Sequence, residues 1–204
     1  MRLVAEWKEA VLRDRGHPSV VAWVPVNESF GLEPPADPPA PARFLVQLYR
    51  LTHELDAARP VVSNDGWEHA LSDLCTIHDY SPAGLLARRF RSLDMALAGG
   101  DPKRPPYLPG YGYRGEPLVV SEFGGVALAG SGGWGFAEVS GPDELLRTYR
   151  AMVGALMGPG PVEGFCYTQL TDIEQERNGF LTFDRQPKVD PELIRPITQT
   201  PKRR

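Results

Sequence analysis

The stretch Ser19-Val-Val-Ala-Trp-Val-Pro-Val26, followed by Asn27 and Glu28, indicates the fold class of this chain. The run is rich in β-branched side chains and carries no charge, which predicts a β-strand. A run this apolar fits a strand that is buried on both faces, as in a parallel sheet covered by helices. We therefore expect an α/β protein.

The rest of the chain alternates between helix and strand. Residues 1–15 and 42–58 carry apolar side chains at helical intervals. Further segments are predicted as strands at 60–63, 73–80, 117–122 and 162–168, and as helices at 81–99 and 141–158. Such alternation predicts about five βα units around a parallel sheet with helical cover.

The composition is that of an ordinary globular protein with a small negative charge. The chain has 204 residues, and its 22 lysines and arginines against 26 aspartates and glutamates give a net charge of −4. This balance has no signature of nucleic-acid or membrane binding. The charged residues among the first eight predict no secretory signal. We expect a cytoplasmic protein with no nucleic-acid and no membrane partner.

Two glutamates end otherwise apolar strands. Glu28 follows the run at 19–26, and Glu122 ends the run that begins at Pro117. In parallel α/β folds the chemistry lies beyond the carboxyl ends of the strands. A pair of carboxylates on that rim is what glycoside hydrolysis requires, one as acid/base and the other as nucleophile or base.

Three segments carry a resemblance to a known family. Residues 13–29 read Arg-Asp-Arg-Gly-His-Pro-Ser-Val-Val-Ala-Trp-Val-Pro-Val-Asn-Glu-Ser, and residues 117–125 read Pro-Leu-Val-Val-Ser-Glu-Phe-Gly-Gly. Residues 175–191 read Gln-Glu-Arg-Asn-Gly-Phe-Leu-Thr-Phe-Asp-Arg-Gln-Pro-Lys-Val-Asp-Pro. In this order they resemble the acid/base signature, the nucleophile strand and the barrel-closing segment of glycoside hydrolase family two. That family contains β-galactosidases, β-glucuronidases and β-mannosidases.

The resemblance implies a role for each matching residue. Glu28 would be the acid/base and Glu122 the nucleophile of a retaining β-glycosidase. Asn27 would hydrogen-bond the sugar hydroxyl next to the reacting carbon, and Tyr80 would donate a hydrogen bond to the nucleophile. The expected reaction is hydrolysis of an O-glycosidic bond by double displacement.

Three further residues are candidates for contact with the substrate. His78 would face the same rim as Tyr80, although a hydrogen-bonded core histidine is an alternative. Tyr167 occupies the last strand, where many relatives use a tryptophan as a sugar platform. Trp134, in a glycine-rich loop, could stack on a sugar or instead hold its own loop in place.

The resemblance covers only part of the family's catalytic domain. A (β/α)8 TIM barrel needs eight strands and about 250 residues, so the five units correspond to the last five strands of a partial barrel. Residues 1–204 would form a single incomplete catalytic domain, without the upstream barrel strands and β-sandwich domains. Since open sheet edges must be paired or covered, we expect a homo-oligomer or a separate amino-terminal portion of the enzyme.

The closing segment bears on the substrate. Relatives that cleave glucuronides carry Asn-x-Lys before its glycine, whereas this chain has Glu176-Arg177-Asn178 before Gly179. We therefore expect a neutral sugar, as in a β-galactosidase. The alternative is a truncated, non-catalytic fragment that needs a separate front half or only binds sugar. No cofactor or metal is predicted, because the acidic run at 172–176 is more typical of a solvated loop.

Overall fold

Helices and strands alternate in a computed structural model that describes residues 2–29, 40–99 and 104–203. The helices are α1 (Arg2–Asp14), α2 (Ala40–Leu55), α3 (Ala83–Arg89), α4 (Leu93–Leu97), α5 (Pro142–Leu156) and α6 (Pro191–Thr198). The strands are β1 (Cys75–Asp79), β2 (Leu118–Gly124), β3 (Val126–Leu128), β4 (Ala137–Val139) and β5 (Val162–Thr168). This is the α/β class with parallel strands that the sequence predicts.

The strands form two small sheets. The larger has the order β1-β2-β5, and β3 pairs with β4 in parallel. Among the described residues the larger sheet is open and does not close into a barrel. The chain divides into two compact units, the described residues of Met1–Ile77 with Asp101–Val119 and those of His78–Gly100 with Val120–Arg204. Strands β1 and β2 contribute residues to both.

One hydrophobic cluster of the first unit lies under helix α1. Val11 and Val61 are fully buried and Trp23 is nearly so, with Trp7 packed against them. The Trp7 indole donates to the Thr52 hydroxyl at 2.8 Å. The amphipathic pattern of α1 thus serves to bury one helix face against the segment that the sequence identifies as its first strand.

The prediction of regular strands at 19–26 and 60–63 is wrong. Among the described residues, the two segments form one isolated parallel bridge, Trp23 to Val61, and a second joins Asn27 to Asp65 just beyond their ends. Pro25 lies between the two bridges and has no N–H to continue the ladder. The expected burial on both faces also fails, because Val21 is 77% exposed.

The second unit is built around aromatic side chains. Helix α5 buries one apolar face, which includes Leu145, Tyr149 and Val153. The Tyr149 ring lies 5.3 Å from that of Tyr167 and 4.9 Å from that of Phe180, measured between centroids. These edge-on contacts pack the helix against β5 and the segment that follows it.

Several element boundaries differ from the prediction. The single helix expected at 81–99 is two helices, because the Ser92 side chain accepts a hydrogen bond from the Met95 N–H and begins a new helix there. Strands β3 and β4 and helix α6 were not predicted. None of the described helices is both long and apolar enough to cross a bilayer.

Candidate active site

Glu28 lies in the first unit in an unusual backbone conformation. Its φ angle is +47°, in the left-handed region that residues other than glycine and asparagine rarely adopt. The Glu28 N–H donates to the carbonyl of Asp65 at 3.1 Å, and the Asp65 N–H donates to the carbonyl of Val26 at 2.9 Å. Non-glycine residues with positive φ cluster at functional sites, where the surrounding structure holds them in place.

The support for this conformation comes from the loop at 64–67. The Asn64 side chain, which is fully buried, accepts a hydrogen bond from the Ser29 N–H at 3.1 Å and donates to the carbonyl of Trp67 at 2.8 Å. The Trp67 indole donates to the carbonyl of Ser29 at 3.3 Å. The peptide groups on both sides of Glu28 are therefore held, while the neighbouring Asn27 is exposed.

Glu122 lies in the second unit, near the end of β2, with 22% of its side chain exposed. The Tyr80 hydroxyl donates a short hydrogen bond to the Glu122 carboxylate. The Nδ1 atom of His78 lies 3.3 Å from the same carboxylate oxygen, and the His78 side chain is only 1% exposed. The hydrogen bond from Tyr80 is the one that the resemblance implies, and His78 lies beside the same carboxylate oxygen.

The period of the strand explains why these side chains meet. His78 and Tyr80 are two residues apart at the end of β1, so they point to the same side of the sheet. Asp79, between them, points away and is buried, where its carboxylate accepts hydrogen bonds from the Arg89 guanidinium and from the Ser81 N–H. Asp79 therefore binds the segment just before helix α3 and the last residue of that helix, and leaves its neighbours to Glu122.

Tyr167 is mostly enclosed. Its ring stacks on Phe180 with centroids 4.1 Å apart, and it fills the space beside Gly124, where a Cβ atom would lie 2.2 Å from the ring. Its hydroxyl accepts a hydrogen bond from the Val126 N–H at 3.2 Å, and burial raises its pKa. With one ring face already on Phe180, its role as a sugar platform stays a prediction.

Trp134 is half exposed and its loop is tied to a neighbouring segment. The main-chain N–H of Trp134 donates to the carbonyl of Gln175 at 2.8 Å, and its carbonyl accepts a hydrogen bond from the Arg177 N–H at 2.9 Å. A side chain at Gly133 would lie 2.2 Å from the carbonyl oxygen of Gln175. The main chain holds the loop, which leaves the indole ring partly accessible; sugar stacking by that ring stays a prediction.

The acidic run at 172–176 is not simply a solvated loop. Asp172 is 4% exposed and its carboxylate accepts hydrogen bonds from the Lys188 ammonium at 2.6 Å and from the Gly179 N–H at 2.9 Å. The expectation of solvation is wrong for this residue, because a buried carboxylate that accepts two donors is stable away from water. Lys188 belongs to the barrel-closing segment identified in the sequence.

Sequence reasoning missed two side chains that support this site, Asn64 and Phe136. The position of Asn64 after an apolar run marks it as polar and strand-terminal, but no pattern indicates that it binds the Ser29 peptide. Phe136, which packs against Tyr80, lies in an irregular loop without periodicity. The separation of the Glu28 and Glu122 carboxyl groups, which lie in different units, stays a prediction.

Comparison with protein families places most of this chain in one family. Residues 2–144, which include both glutamates, match the model of the TIM barrel domain of the glycosyl hydrolases family 2. The chain belongs to glycosyl hydrolase family 2. A search of curated proteins found no match for this family 2 chain.

Solved structures agree at the level of the fold. A β-D-glucuronidase from Dictyoglomus thermophilum matches with a TM-score of 0.66 at 20% identity, over 98% of this chain and 35% of its own. A β-galacturonidase of family 2 from Eisenbergiella tayi, bound to galacturonate, matches with a TM-score of 0.65 at 14% identity, over 95% of this chain and 36% of its own. The family 2 chain thus spans about a third of the length of these enzymes and corresponds to part of their barrels.

Proposed function

We propose that this chain carries the catalytic pair of a retaining β-glycosidase, with Glu122 as nucleophile and Glu28 as acid/base. The observation that carries the proposal is the pair of side chains, Tyr80 and His78, directed at the carboxylate of Glu122. Membership of a glycosidase family and the matching segments around both glutamates support it. The two units are, in this proposal, parts of one incomplete catalytic barrel domain.

The environment of Glu122 suits a nucleophile. A carboxylate must be ionised to attack the anomeric carbon, and hydrogen-bond donors directed at it favour the charged form. The Tyr80 hydroxyl is one such donor, and His78 is a second when its Nδ1 carries a proton. In the first step a bond forms between Glu122 and the anomeric carbon, while the bond from that carbon to the leaving oxygen breaks.

The acid/base role of Glu28 completes the reaction. Its carboxyl proton passes to the leaving oxygen, and the resulting carboxylate then takes a proton from the water that releases the sugar from Glu122. Retention of configuration requires the two carboxyl groups to lie about 5–5.5 Å apart. The hydrogen-bonded, left-handed main chain at Glu28 supports this role because it fixes the direction in which the side chain leaves the backbone.

We propose a neutral sugar as substrate, of the kind a β-galactosidase takes. The support is the segment Glu176-Arg177-Asn178, which lacks the Asn-x-Lys pattern of glucuronide-cleaving relatives. Asn27, Trp134 and Tyr167 are the proposed sugar contacts beside the catalytic pair. The similar structures include a β-glucuronidase and a β-galacturonidase, so uronides are the competing substrates to be assayed.

The active form includes more than one copy of this chain, or a separate amino-terminal portion. In the larger sheet β5 lies at one edge with most of its residues at least partly exposed, and exposed edges favour pairing with further chain. The second candidate function, a non-catalytic fragment that only binds sugar, is favoured by the fact that the chain spans about a third of its relatives.

The test is hydrolysis of nitrophenyl β-galactoside, β-mannoside, β-glucoside and β-glucuronide by the chain, alone and with the product of the neighbouring upstream reading frame. Replacing the nucleophile, Glu122→Ala, should reduce turnover by more than about 10³-fold. Azide should then restore part of the rate and give the α-glycosyl azide, because a small anion can occupy the space of the missing carboxylate.

Two results would decide against this proposal. Unchanged activity of Glu122→Ala would remove Glu122 from the mechanism. Binding of galactose without hydrolysis of any of the four glycosides, in the presence of the upstream product, would favour the non-catalytic fragment. Faster cleavage of the glucuronide than of the three neutral glycosides would overturn the neutral-sugar assignment alone.

A further inference from the structure

Phe136 makes a close contact with the tyrosine that serves Glu122. The rings of Phe136 and Tyr80 are stacked with centroids 3.6 Å apart and planes only 12° from parallel. Phe136 is nevertheless 51% exposed, so it does not belong to the core of its unit. Its ring nevertheless packs face to face on Tyr80 and edge-on to Trp134, whose ring centroid is 5.6 Å away.

The turn after β2 is shaped to admit this pair of rings. Gly125 has a φ angle of +58°, and a Cβ atom there would lie 2.5 Å from Cδ2 of Phe136 and 3.1 Å from Cδ1 of Tyr80. The Phe136 N–H donates to the carbonyl of Gly125 at 2.8 Å. The main chain that continues from Glu122 therefore fixes where Phe136 sits and leaves space for both rings.

Tyr80 needs such a support. It follows the last residue of β1, and so lies beyond the regular ladder that holds His78. Its hydroxyl must stay on the Glu122 carboxylate although its ring is only partly buried. A ring packed on one face has fewer accessible rotamers, and the hydrogen bond at its far end gains from that restriction.

We propose that Phe136 is a positioning residue, whose ring holds Tyr80 so that the Tyr80 hydroxyl stays hydrogen-bonded to Glu122. The consequence for catalysis rests on the proposed function of Glu122, whereas the coupling between the three side chains does not. Phe136 itself has no contact with the reacting atoms in this scheme. Its ring acts on Glu122 through Tyr80.

The coupling can be measured without any enzymatic activity. The full chain is labelled with 3-fluorotyrosine, and the Tyr80 resonance is assigned in its ¹⁹F spectrum by Tyr80→Phe. Glu122→Gln should shift that resonance, because it changes the acceptor of the Tyr80 hydroxyl. In a Phe136→Leu background the same Glu122→Gln change should shift the resonance by less than half as much. Phe136→Tyr, which keeps a stacking ring, should preserve the full shift.

A matched control uses another exposed phenylalanine of the same unit. Phe183 is 62% exposed, and Phe183→Leu should leave the effect of Glu122→Gln on the Tyr80 resonance unchanged. An undiminished shift in the Phe136→Leu background would overturn the proposal, since Tyr80 would then be held without Phe136. An equal loss in Phe183→Leu would overturn it as well, because the effect would not be specific to the stacked ring.

The kinetic arm connects the coupling to catalysis. With a glycoside that the unmodified chain hydrolyses, Phe136→Leu should lower kcat about 10-fold with KM changed less than about twofold, and Phe136→Tyr should restore most of the loss. An equal rise in KM with kcat unchanged would mean that Phe136 contacts the substrate and would reject the positioning role. If the unmodified chain hydrolyses none of the four glycosides, alone or with the upstream product, the proposed function fails, while the ¹⁹F comparison still decides whether Phe136 positions Tyr80.

Discussion

The two proposed catalytic glutamates are supported in different ways. Glu28 is held through the main chain, by a left-handed φ angle and by hydrogen bonds to the peptide groups around it. Glu122 lies on a regular strand, and its support is directed at the carboxylate itself by the Tyr80 hydroxyl and by His78. The hydrogen bonds described for Glu28 thus reach its backbone, and those described for Glu122 reach its functional group.

This difference predicts what a substitution in each region will cost. Hydrogen bonds between peptide groups and a buried side chain such as Asn64 are part of the folded structure. Their loss should therefore lower the free energy of unfolding more than it lowers turnover. A donor to a partly exposed carboxylate contributes little to folding but acts on the group that carries out the chemistry. We therefore expect supports of Glu28 to affect unfolding and supports of Glu122 to affect turnover.

The largest effect should come from Tyr80→Phe. Loss of the hydroxyl removes a donor that stabilises the charged nucleophile, which typically lowers kcat by about 10²-fold. The free energy of unfolding should change by about 1 kcal/mol or less, because one partly exposed hydrogen bond is lost. Steady-state kinetics and urea unfolding of the same preparation measure both quantities. A large loss of stability with unchanged kcat would contradict the comparison in this region.

The next effect should come from Asn64→Ala, and mainly on stability. The change leaves the Ser29 N–H and the Trp67 carbonyl without their side-chain partner, which should cost about 2 kcal/mol of unfolding free energy. Three of the four tryptophans, Trp7, Trp23 and Trp67, lie in the first unit, so tryptophan fluorescence in urea reports on it. A variant with unchanged stability but with the kcat of Tyr80→Phe would show that the two regions do not differ.

The sequence predicted some of these features because they are local. The helix α1, the strands β1, β2 and β5, and the start of α5 follow from the apolar patterns of those segments and from the glycine, proline and acidic residues at 141–144. The hydrogen bond from Tyr80 to Glu122 could be anticipated only from the resemblance to the family. Nothing in residues 73–80 alone says which strand will lie beside them.

The features that were missed depend on contacts between distant segments. Asn64 binds Ser29, 35 residues away, and Phe136 stacks on Tyr80, 56 residues away. The segment at 19–26 does not form a regular strand, and the local cause is Pro25. The prediction gave more weight to the apolar pattern of the run than to this proline. The positive φ angle at Glu28 has no sequence signal, because glutamate is not a residue that favours it.

The smallest effect gives the most direct test of how the two backbones differ. At Glu28 the left-handed conformation penalises any side chain with a Cβ atom, so Glu28→Gly should be about 1 kcal/mol more stable than Glu28→Ala. Glu122 lies within a strand, where a glycine loses more conformational entropy on folding than an alanine does and relieves no backbone strain. Glu122→Gly should therefore be about 0.5–1 kcal/mol less stable than Glu122→Ala.

Each comparison of glycine with alanine removes the same carboxylate, so any difference within a pair reports on the backbone and not on charge. Urea unfolding followed by tryptophan fluorescence suits the Glu28 pair, and far-UV circular dichroism suits the Glu122 pair, because most tryptophans lie in the first unit. The order of stability should reverse between the two positions. The same order at both would mean that the main chain at Glu28 relaxes without cost, and that the left-handed conformation does not fix the direction in which its side chain leaves the backbone.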